Sequence, residues 1–354
     1  MNRVLVTLPN WYGETLFATP FLRALRRQVP TAFISTLGRP QCREVLLHNP
    51  YINELLEYDE HGVHRSLAGK WQLVQTLRQR HFDTAFILRK SLSRTMLLCA
   101  AEIPRRVGFA NPKSGWLLTH RVPLSDTPRH KASTYLPLLE AVELSVLPGP
   151  YEYTVSDEER QAARQWVSAH LAINGRPLVI LHPGANWFHK RWPPQRFAAL
   201  GDRLVESQRV SVLVTGGPAD LALAEQITRT MRQPATVLAG GTTLRQLAAL
   251  LEQAALVVSN DTGVLHVAAA LGRPLVALYG PTSPALTGPL GEPQRITILH
   301  HPDCCPHIPC YQPESPPHPG MKAITVDEVY QAVCQLLEGR RWRIEGGKSE
   351  HLNV

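Results

Sequence analysis

The sequence lacks the glycine-rich fingerprints that mark the common nucleotide-binding enzymes. The first predicted strand, residues 4–8, is followed by PNWYGE rather than by a GxGxxG pattern, which argues against a nicotinamide-dependent oxidoreductase. No GxxxxGKS or GxxxxGKT pattern is present either, so a P-loop enzyme is not expected. Long apolar runs are also missing. None approaches the roughly 20 residues that span a bilayer, so we predict no transmembrane helix.

Acidic residues and cysteines are both scarce. Lys and Arg number 37 against 29 Asp and Glu, and the net charge of +8 favours an anionic partner such as a nucleotide, a nucleic acid or a membrane surface. Because no repeated basic and aromatic motif occurs, we do not expect nucleic acid as the partner. Only six cysteines are present and no signal-peptide pattern precedes the first strand, so we expect reduced thiols and a cytoplasmic protein.

Apolar strands and amphipathic helices alternate over most of the 354 residues. This length exceeds one ordinary core, and the alternation predicts largely parallel sheets. We therefore expect an α/β protein with two domains, residues 1–155 and 156–340, followed by a tail at 341–354. Polar or glycine-containing loops follow the strands of both halves, which favours a ligand-binding cleft between two sheets.

The stretch at residues 256–272 has the strongest pattern. An apolar strand breaks at the turn sequence SNDTG, residues 259–263, and an alanine-rich helix follows as far as Gly272. A second strand at 275–279 completes a βαβ unit. The polar loop therefore lies at the carboxyl end of a strand, where open α/β sheets bind ligands, and free N–H groups at the helix start suit a phosphate.

Two interpretations of this loop stay open. Asp261 and Thr262 are residues that often only cap a helix. His266 lies about one turn into the helix and can face the loop, which capping alone does not explain.

A basic loop and an acidic residue follow two other strands. The loop HPGANWFHKRWP, residues 182–193, places Lys190 near a glycine turn, an arrangement that suits phosphates and offsets charge on a leaving group. A solvated basic loop is the alternative. Glu14 follows the first strand, where a carboxylate can take a proton from an attacking hydroxyl. Equally, an acidic residue in the first turn of a helix often only meets the helix dipole.

A proline-rich loop near the C-terminus is crowded with cysteine and histidine. This density indicates zinc, but the spacing is irregular, with one Cys-x4-Cys pair and no second regular pair. We therefore favour a proline-stiffened loop with incidental thiols and expect no bound metal. The residues are His300, His301, Cys304, Cys305, His307, Cys310 and His318.

Five motifs occur in the order and spacing of a known family. They are PNWYGE at 9–14, RVGF at 106–109, HPGA at 182–185, KRWP at 190–193, and SNDTG at 259–263 with His266. On these motifs the chain resembles glycosyltransferase family 9, the ADP-heptose:lipopolysaccharide heptosyltransferases. It is most similar to the heptosyltransferase II type.

The resemblance implies a GT-B fold, with two Rossmann-like domains whose parallel sheets face a central cleft. It implies an inverting, metal-independent glycosyltransferase that moves heptose from ADP-heptose onto the inner core of lipopolysaccharide. The implied partners are ADP-heptose and the lipid A-linked inner-core acceptor, with no cofactor. The implied location is cytoplasmic, peripheral to the inner face of the cytoplasmic membrane.

Site residues follow from the same motifs. Glu14 falls where the family usually has Asp, the proposed general base, and Lys190 matches a lysine that contacts the donor phosphates. The other positions that match donor-binding residues are Gly184, Asp220, Asp261, Thr262, Gly263 and His266. Because the acceptor is anionic, we expect a basic face on the N-terminal half to bind it. Its members are Arg89, Lys90, Arg94, Arg105, Arg106 and Lys131.

The chain departs from the family pattern twice. Glu14 replaces the usual Asp, and Gly320 precedes Met321 where the family often has Cys, so a shared metal role is not expected. Two other functions stay open beside heptose transfer. One is a transferase of the same fold that uses another nucleotide sugar in cell-envelope glycan synthesis. The other is a nucleotide-binding module without catalysis.

Overall fold

The chain divides into two compact units, Met1–Thr154 and Val155–Val354, and each contains one six-stranded parallel sheet. The structure is a computed structural model. It describes residues 1–124, 127–171, 175–305, 307–310 and 317–338, and the helical backbone of 339–346. The expected α/β architecture with parallel sheets is confirmed.

The first unit has the strand order β3-β2-β1-β4-β5-β6. Its strands are β1 (Arg3–Thr7), β2 (Phe33–Gly38), β3 (Glu54–Glu57), β4 (Thr84–Ile87), β5 (Arg105–Phe109) and β6 (His120–Val122). Its helices are α1 (Tyr12–Leu16), α2 (Thr19–Gln28), α3 (Pro40–Leu46), α4 (Leu67–Gln79), α5 (Leu92–Ala100) and α6 (Pro137–Glu140). Because β1 lies between β2 and β4, the loop after β1 emerges at the middle of the sheet edge.

Residues 12–28 form two helices, α1 and α2, and not one continuous helix. Pro20 is the cause, since a proline has no N–H to donate and its ring clashes with the carbonyl four residues earlier. The hydroxyl of Thr19 donates to that carbonyl, Leu16 O, at 2.8 Å. Pro20 therefore marks the beginning of α2, and α1 becomes a short separate turn that carries Glu14.

The second unit has the strand order β12-β11-β10-β7-β8-β9. Its strands are β7 (Leu178–His182), β8 (Ser211–Gly216), β9 (Thr236–Ala239), β10 (Leu256–Asn260), β11 (Leu275–Tyr279) and β12 (Ile296–His300). Its helices are α7 (Asp157–His170), α8 (Pro194–Gln208), α9 (Leu221–Thr230), α10 (Leu244–Gln253), α11 (Gly263–Ala270), α12 (Pro284–Thr287), α13 (Pro319–Ala323) and α14 (Val326–Gly346).

The middle of this second sheet positions the polar loops. Every residue of β7, β10 and β11 is buried, as expected for parallel strands covered on both faces. The three strands are neighbours and parallel, so their carboxyl ends meet at one edge of the sheet.

The C-terminal region differs from the expected tail at 341–354, because α14 continues as far as Gly346. Residues 347–354 of that tail lie outside the described residues. Across the described ranges, no helix is both long and apolar enough to cross a membrane.

Candidate active site

The predicted strand, polar loop and helix at 256–272 are confirmed as β10, a two-residue link and α11. Thr262 caps the helix, because its hydroxyl accepts a bond from the N–H of Leu265 at 3.5 Å. The helix ends just before Gly272, whose φ of 64° is a conformation that glycine adopts without steric cost.

Asp261 is the centre of the polar cluster at this edge. Its Oδ2 accepts one bond from Lys190 Nζ and one from the Thr282 hydroxyl, each at 2.6 Å. Its Oδ1 lies 3.7 Å from His266 Nε2, so the histidine faces the loop as expected. Asp261 is only 5% exposed, so these partners replace water around the carboxylate.

The surroundings of Asp261 decide its protonation state. Burial alone would raise the pKa of its carboxyl, but the His266 ring and the Lys190 ammonium outweigh burial and hold the pKa well below its usual value. A carboxylate with so low a pKa is a weak proton acceptor. Asp261 therefore suits orientation of neighbouring groups better than general-base chemistry.

Lys190 reaches this cluster from the loop after β7. It ends a short helical turn, Phe188–Lys190, and β7 pairs directly with β10. The expectation that the two loops share one sheet edge is thus confirmed. The Lys190 side chain keeps 22% exposure, whereas the Asp261 side chain keeps only 4%, so solvent reaches this cluster from the Lys190 side.

The Asp220 carboxylate accepts hydrogen bonds from the loops around it. Its Oδ1 accepts from Arg191 Nη2 at 3.0 Å and its Oδ2 from the N–H of Gly217 at 3.1 Å. Gly184 is required for this arrangement, because a Cβ there would lie 2.3 Å from Asp220 Oδ2. Gly184 and Asp220 therefore join the loops after β7 and β8, and their expected donor contacts stay a prediction.

His182, the last residue of β7, is a structural residue. Its Nδ1 lies 3.0 Å from the Thr215 hydroxyl on β8. Burial lowers its pKa to about 4 against the opposing charge of Asp220, so the ring is neutral at physiological pH.

Sequence reasoning missed two residues of this cluster. Thr282 follows β11, and its hydroxyl bond to Asp261 shows that β11 contributes to the same edge. Asn260 is fully buried; its amide donates to Pro183 O at 2.7 Å and accepts from the N–H of Trp192 at 3.1 Å. The available signal was position, because Asn260 ends one apolar strand and Thr282 is the third residue after the end of another.

In the first unit, Glu14 occupies the middle of α1 and is exposed. Within the described ranges, no hydrogen bond or ion pair holds its carboxylate. Burial, and then the charge of Glu14, raise the pKa of Tyr135 above its usual value, so the Tyr135 phenol is neutral.

Arg94 requires a correction. It was expected on an exposed basic face, but it is 1% exposed. Its guanidinium donates to Leu8 O, to Asn10 Oδ1 at 2.8 Å and to Glu60 Oε1 at 3.3 Å. Arg94 therefore holds the loop between β1 and α1 in place and is not available to an acceptor at the surface.

The single basic face is also wrong in its extent. Arg105 and Arg106 begin β5, whereas Arg89 and Lys90 follow the end of β4, its parallel neighbour. Arg105 and Arg106 thus lie at the amino ends of the parallel strands, whereas Arg89 and Lys90 lie at the carboxyl ends. Arg106 donates to Leu117 O at 2.8 Å and to Ile103 O at 2.5 Å, which is a structural role.

Comparison with known proteins identifies the class. The solved structure of E. coli ADP-heptose lps heptosyltransferase II matches with a TM-score of 0.81 at 26% identity, over 96% of this chain and 100% of that one. A glycosyl transferase family 9 structure from Veillonella parvula matches with a TM-score of 0.83 at 25% identity, over 96% and 98%. The protein is therefore a glycosyltransferase of the GT-B class.

Sequence relatives narrow the class to one family. Lipooligosaccharide heptosyltransferase 2 of Haemophilus ducreyi is 30% identical over 95% of this chain and 99% of its own length. Lipopolysaccharide heptosyltransferase 2 of Salmonella typhimurium is 31% identical over 84% and 88%. The profile of glycosyltransferase family 9 (heptosyltransferase) matches residues 70–314. The chain belongs to glycosyltransferase family 9, as the motifs indicated.

Proposed function

We propose that this enzyme transfers heptose from ADP-heptose onto the lipid A-linked inner core of lipopolysaccharide, as a heptosyltransferase of type II. The relatives named for that activity support the donor and the acceptor. The observation that carries the proposal is the cluster of Lys190, Asp261 and Thr282 at the start of α11.

The donor half of the reaction is assigned to the second unit. Lys190 supplies positive charge, and the N–H groups at the start of α11, around Thr262 and Gly263, supply hydrogen-bond donors for a diphosphate. Both stabilise negative charge as the bond between the anomeric carbon and the phosphate oxygen breaks and ADP leaves with the electron pair. Asp261 fixes the Lys190 ammonium in position.

The acceptor half is assigned to Glu14. A sugar hydroxyl is a poor nucleophile at neutral pH, so a base must take its proton as the oxygen attacks the anomeric carbon. Glu14 is exposed and unpaired among the described residues, whereas Asp261 is buried and paired. Attack opposite the departing phosphate inverts the anomeric carbon.

Release of ADP from ADP-heptose in the presence of an inner-core acceptor tests this function. Acceptor-dependent release supports glycosyl transfer, while nucleotide binding without release would favour a non-catalytic module. Turnover of another nucleotide sugar in preference to ADP-heptose would favour the alternative donor. Product linkage determined by NMR then tests inversion.

The Lys190→Ala variant is expected to bind ADP more weakly by roughly 1.5–3 kcal/mol, because a charge-assisted hydrogen bond to phosphate is lost. Isothermal titration calorimetry measures this change. Lys113→Ala, which removes an exposed lysine of the first unit, is the matched control and should bind ADP normally. Unchanged ADP affinity in a folded Lys190→Ala protein would exclude the assignment.

Peripheral membrane association belongs to the same proposal. Arg89 and Lys90 are exposed, and the helix that follows them, α5, exposes Leu92 by 41% and Met96 by 53%. The two apolar residues are four apart and so share one helix face. A basic pair beside an exposed apolar pair fits an anionic lipid surface.

Replacing both Arg89 and Lys90 with Ala is expected to weaken binding to anionic vesicles by about 1 kcal/mol per charge removed. Binding of the native chain should also weaken as salt rises, because the attraction is screened over about 8 Å at physiological ionic strength. Co-sedimentation with vesicles measures both effects. Arg105→Ala, at the start of β5, is the control; an equal loss there, or binding indifferent to salt, would refute the assigned surface.

A further inference from the structure

Two thiols and one imidazole meet in the second unit although they are irregularly spaced along the chain. One ligand atom from each of Cys305, Cys310 and His318 lies within 4.8 Å of the others. None of the six cysteines, all within the described ranges, is in a disulfide. Folding thus brings together a set of donor atoms that the sequence spacing did not indicate.

The histidine of this cluster is unusual in its burial. His318 is 0% exposed; its Nδ1 accepts a bond from the N–H of Gly320 at 3.0 Å, and its Nε2 has no hydrogen-bond partner in the part of the chain that is described. An unsatisfied buried polar group costs about 1–3 kcal/mol. Two further buried ring nitrogens nearby in the fold, His189 Nδ1 and His300 Nε2, are also unsatisfied within the described residues. An unsatisfied buried ring nitrogen is a position that a bound ion can fill.

We propose that Cys305, Cys310 and His318 bind one divalent transition-metal ion, for which zinc is the best match. Thiolate and imidazole ligands together select zinc among the common divalent ions. Zinc holds sulfur at about 2.3 Å and nitrogen at about 2.0 Å, so tetrahedral ligand atoms lie roughly 3.4–3.8 Å apart. The present cluster reaches that size by closing by about 1 Å, and one coordination position stays open to water or a further ligand. Binding releases the two thiol protons, and Nε2 becomes a ligand when the ring proton moves to Nδ1, which breaks the bond from the N–H of Gly320.

The ion would hold the two loops that carry the donor-site residues. The N–H of Cys310 donates to Pro281 O at 2.7 Å, and the N–H of His318 donates to His189 O at 3.3 Å. The residues directly after these two acceptors are Thr282 and Lys190, the partners of Asp261. The metal ligands are therefore positioning residues and take no part in the chemistry, which is consistent with a transfer step that needs no metal.

Metal analysis of the full-length protein, purified without chelator, tests this inference. About one zinc per chain is expected. Cys305→Ser and Cys310→Ser should each reduce the zinc content to below about a tenth of that value, because thiolate ligands are lost. Cys304→Ser is the matched control, since this adjacent exposed thiol lies outside the cluster, and it should retain the metal.

Cobalt substitution gives a second readout that needs no substrate and is independent of the proposed function. Protein stripped of metal and titrated with Co²⁺ should show thiolate-to-cobalt absorption in the native chain and in Cys304→Ser, and none in Cys305→Ser. Stripping should also weaken ADP binding severalfold. Absence of both bound zinc and the cobalt bands, or a Cys305–Cys310 disulfide in the unreduced protein by mass spectrometry, would overturn the proposal.

Discussion

The Glu14→Gln variant is expected to lose about 10²–10⁴-fold in kcat, the usual contribution of a positioned general base. Glutamine keeps the length and shape of the side chain but cannot take a proton. Because the donor groups Lys190 and Asp261 belong to the second unit, ADP affinity should be nearly unchanged. Steady-state kinetics with ADP-heptose, together with ADP titration calorimetry, separate the two effects.

Glu14→Asp is the matched control for this prediction. It restores the residue that the family pattern usually has and shortens the side chain by one methylene, so substantial activity should remain. One set of results would identify a different general base. If Glu14→Gln turns over at the native rate while Asp261→Asn binds ADP but is inactive, Asp261 is the proton acceptor despite its low pKa.

The central strands of each sheet could be predicted from the sequence, and most of the edge strands could not. Strands such as β7 and β10 are continuous apolar runs because both of their faces are covered. The strands β3, β6 and β12 are edge strands of the two sheets. They are short or only partly buried, and so they carry no distinct hydrophobic pattern.

The candidate site was predictable only where position along the chain coincides with position in space. Lys190 and Asp261 both follow apolar strands, and the general rule for parallel sheets joined them. Thr282 was missed although the predicted βαβ unit already joined β10 and β11, because the sequence does not show which side chain after β11 contacts Asp261. Arg94 was misplaced because the sequence shows a charged residue after a strand but does not show the carbonyl and amide oxygens that accept its hydrogen bonds.

The Asp261→Asn variant is expected to lower the free energy of unfolding of the second unit by about 3 kcal/mol, as when one partner of a buried ion pair is removed. Asparagine keeps the size of the side chain but removes the charge that faces Lys190 and His266. It also presents an N–H₂ group where the carboxylate accepted two hydrogen bonds. Urea unfolding at neutral pH measures the loss. Asp157→Asn, at a carboxylate that is 95% exposed, is the control and should change little.

The pH dependence of this loss in stability tests more directly whether the charge of Asp261 stabilises the folded protein. In the unfolded chain the carboxyl titrates at about pH 3.9, and in the folded protein its pKa lies below that value. The unfolded state therefore binds the proton first as pH falls, so the stabilisation is complete at neutral pH and is lost progressively below about pH 4. The stability difference between the native chain and Asp261→Asn should shrink over that acidic range. A difference that persists unchanged until acid unfolding would mean that the carboxylate charge does not stabilise the cluster.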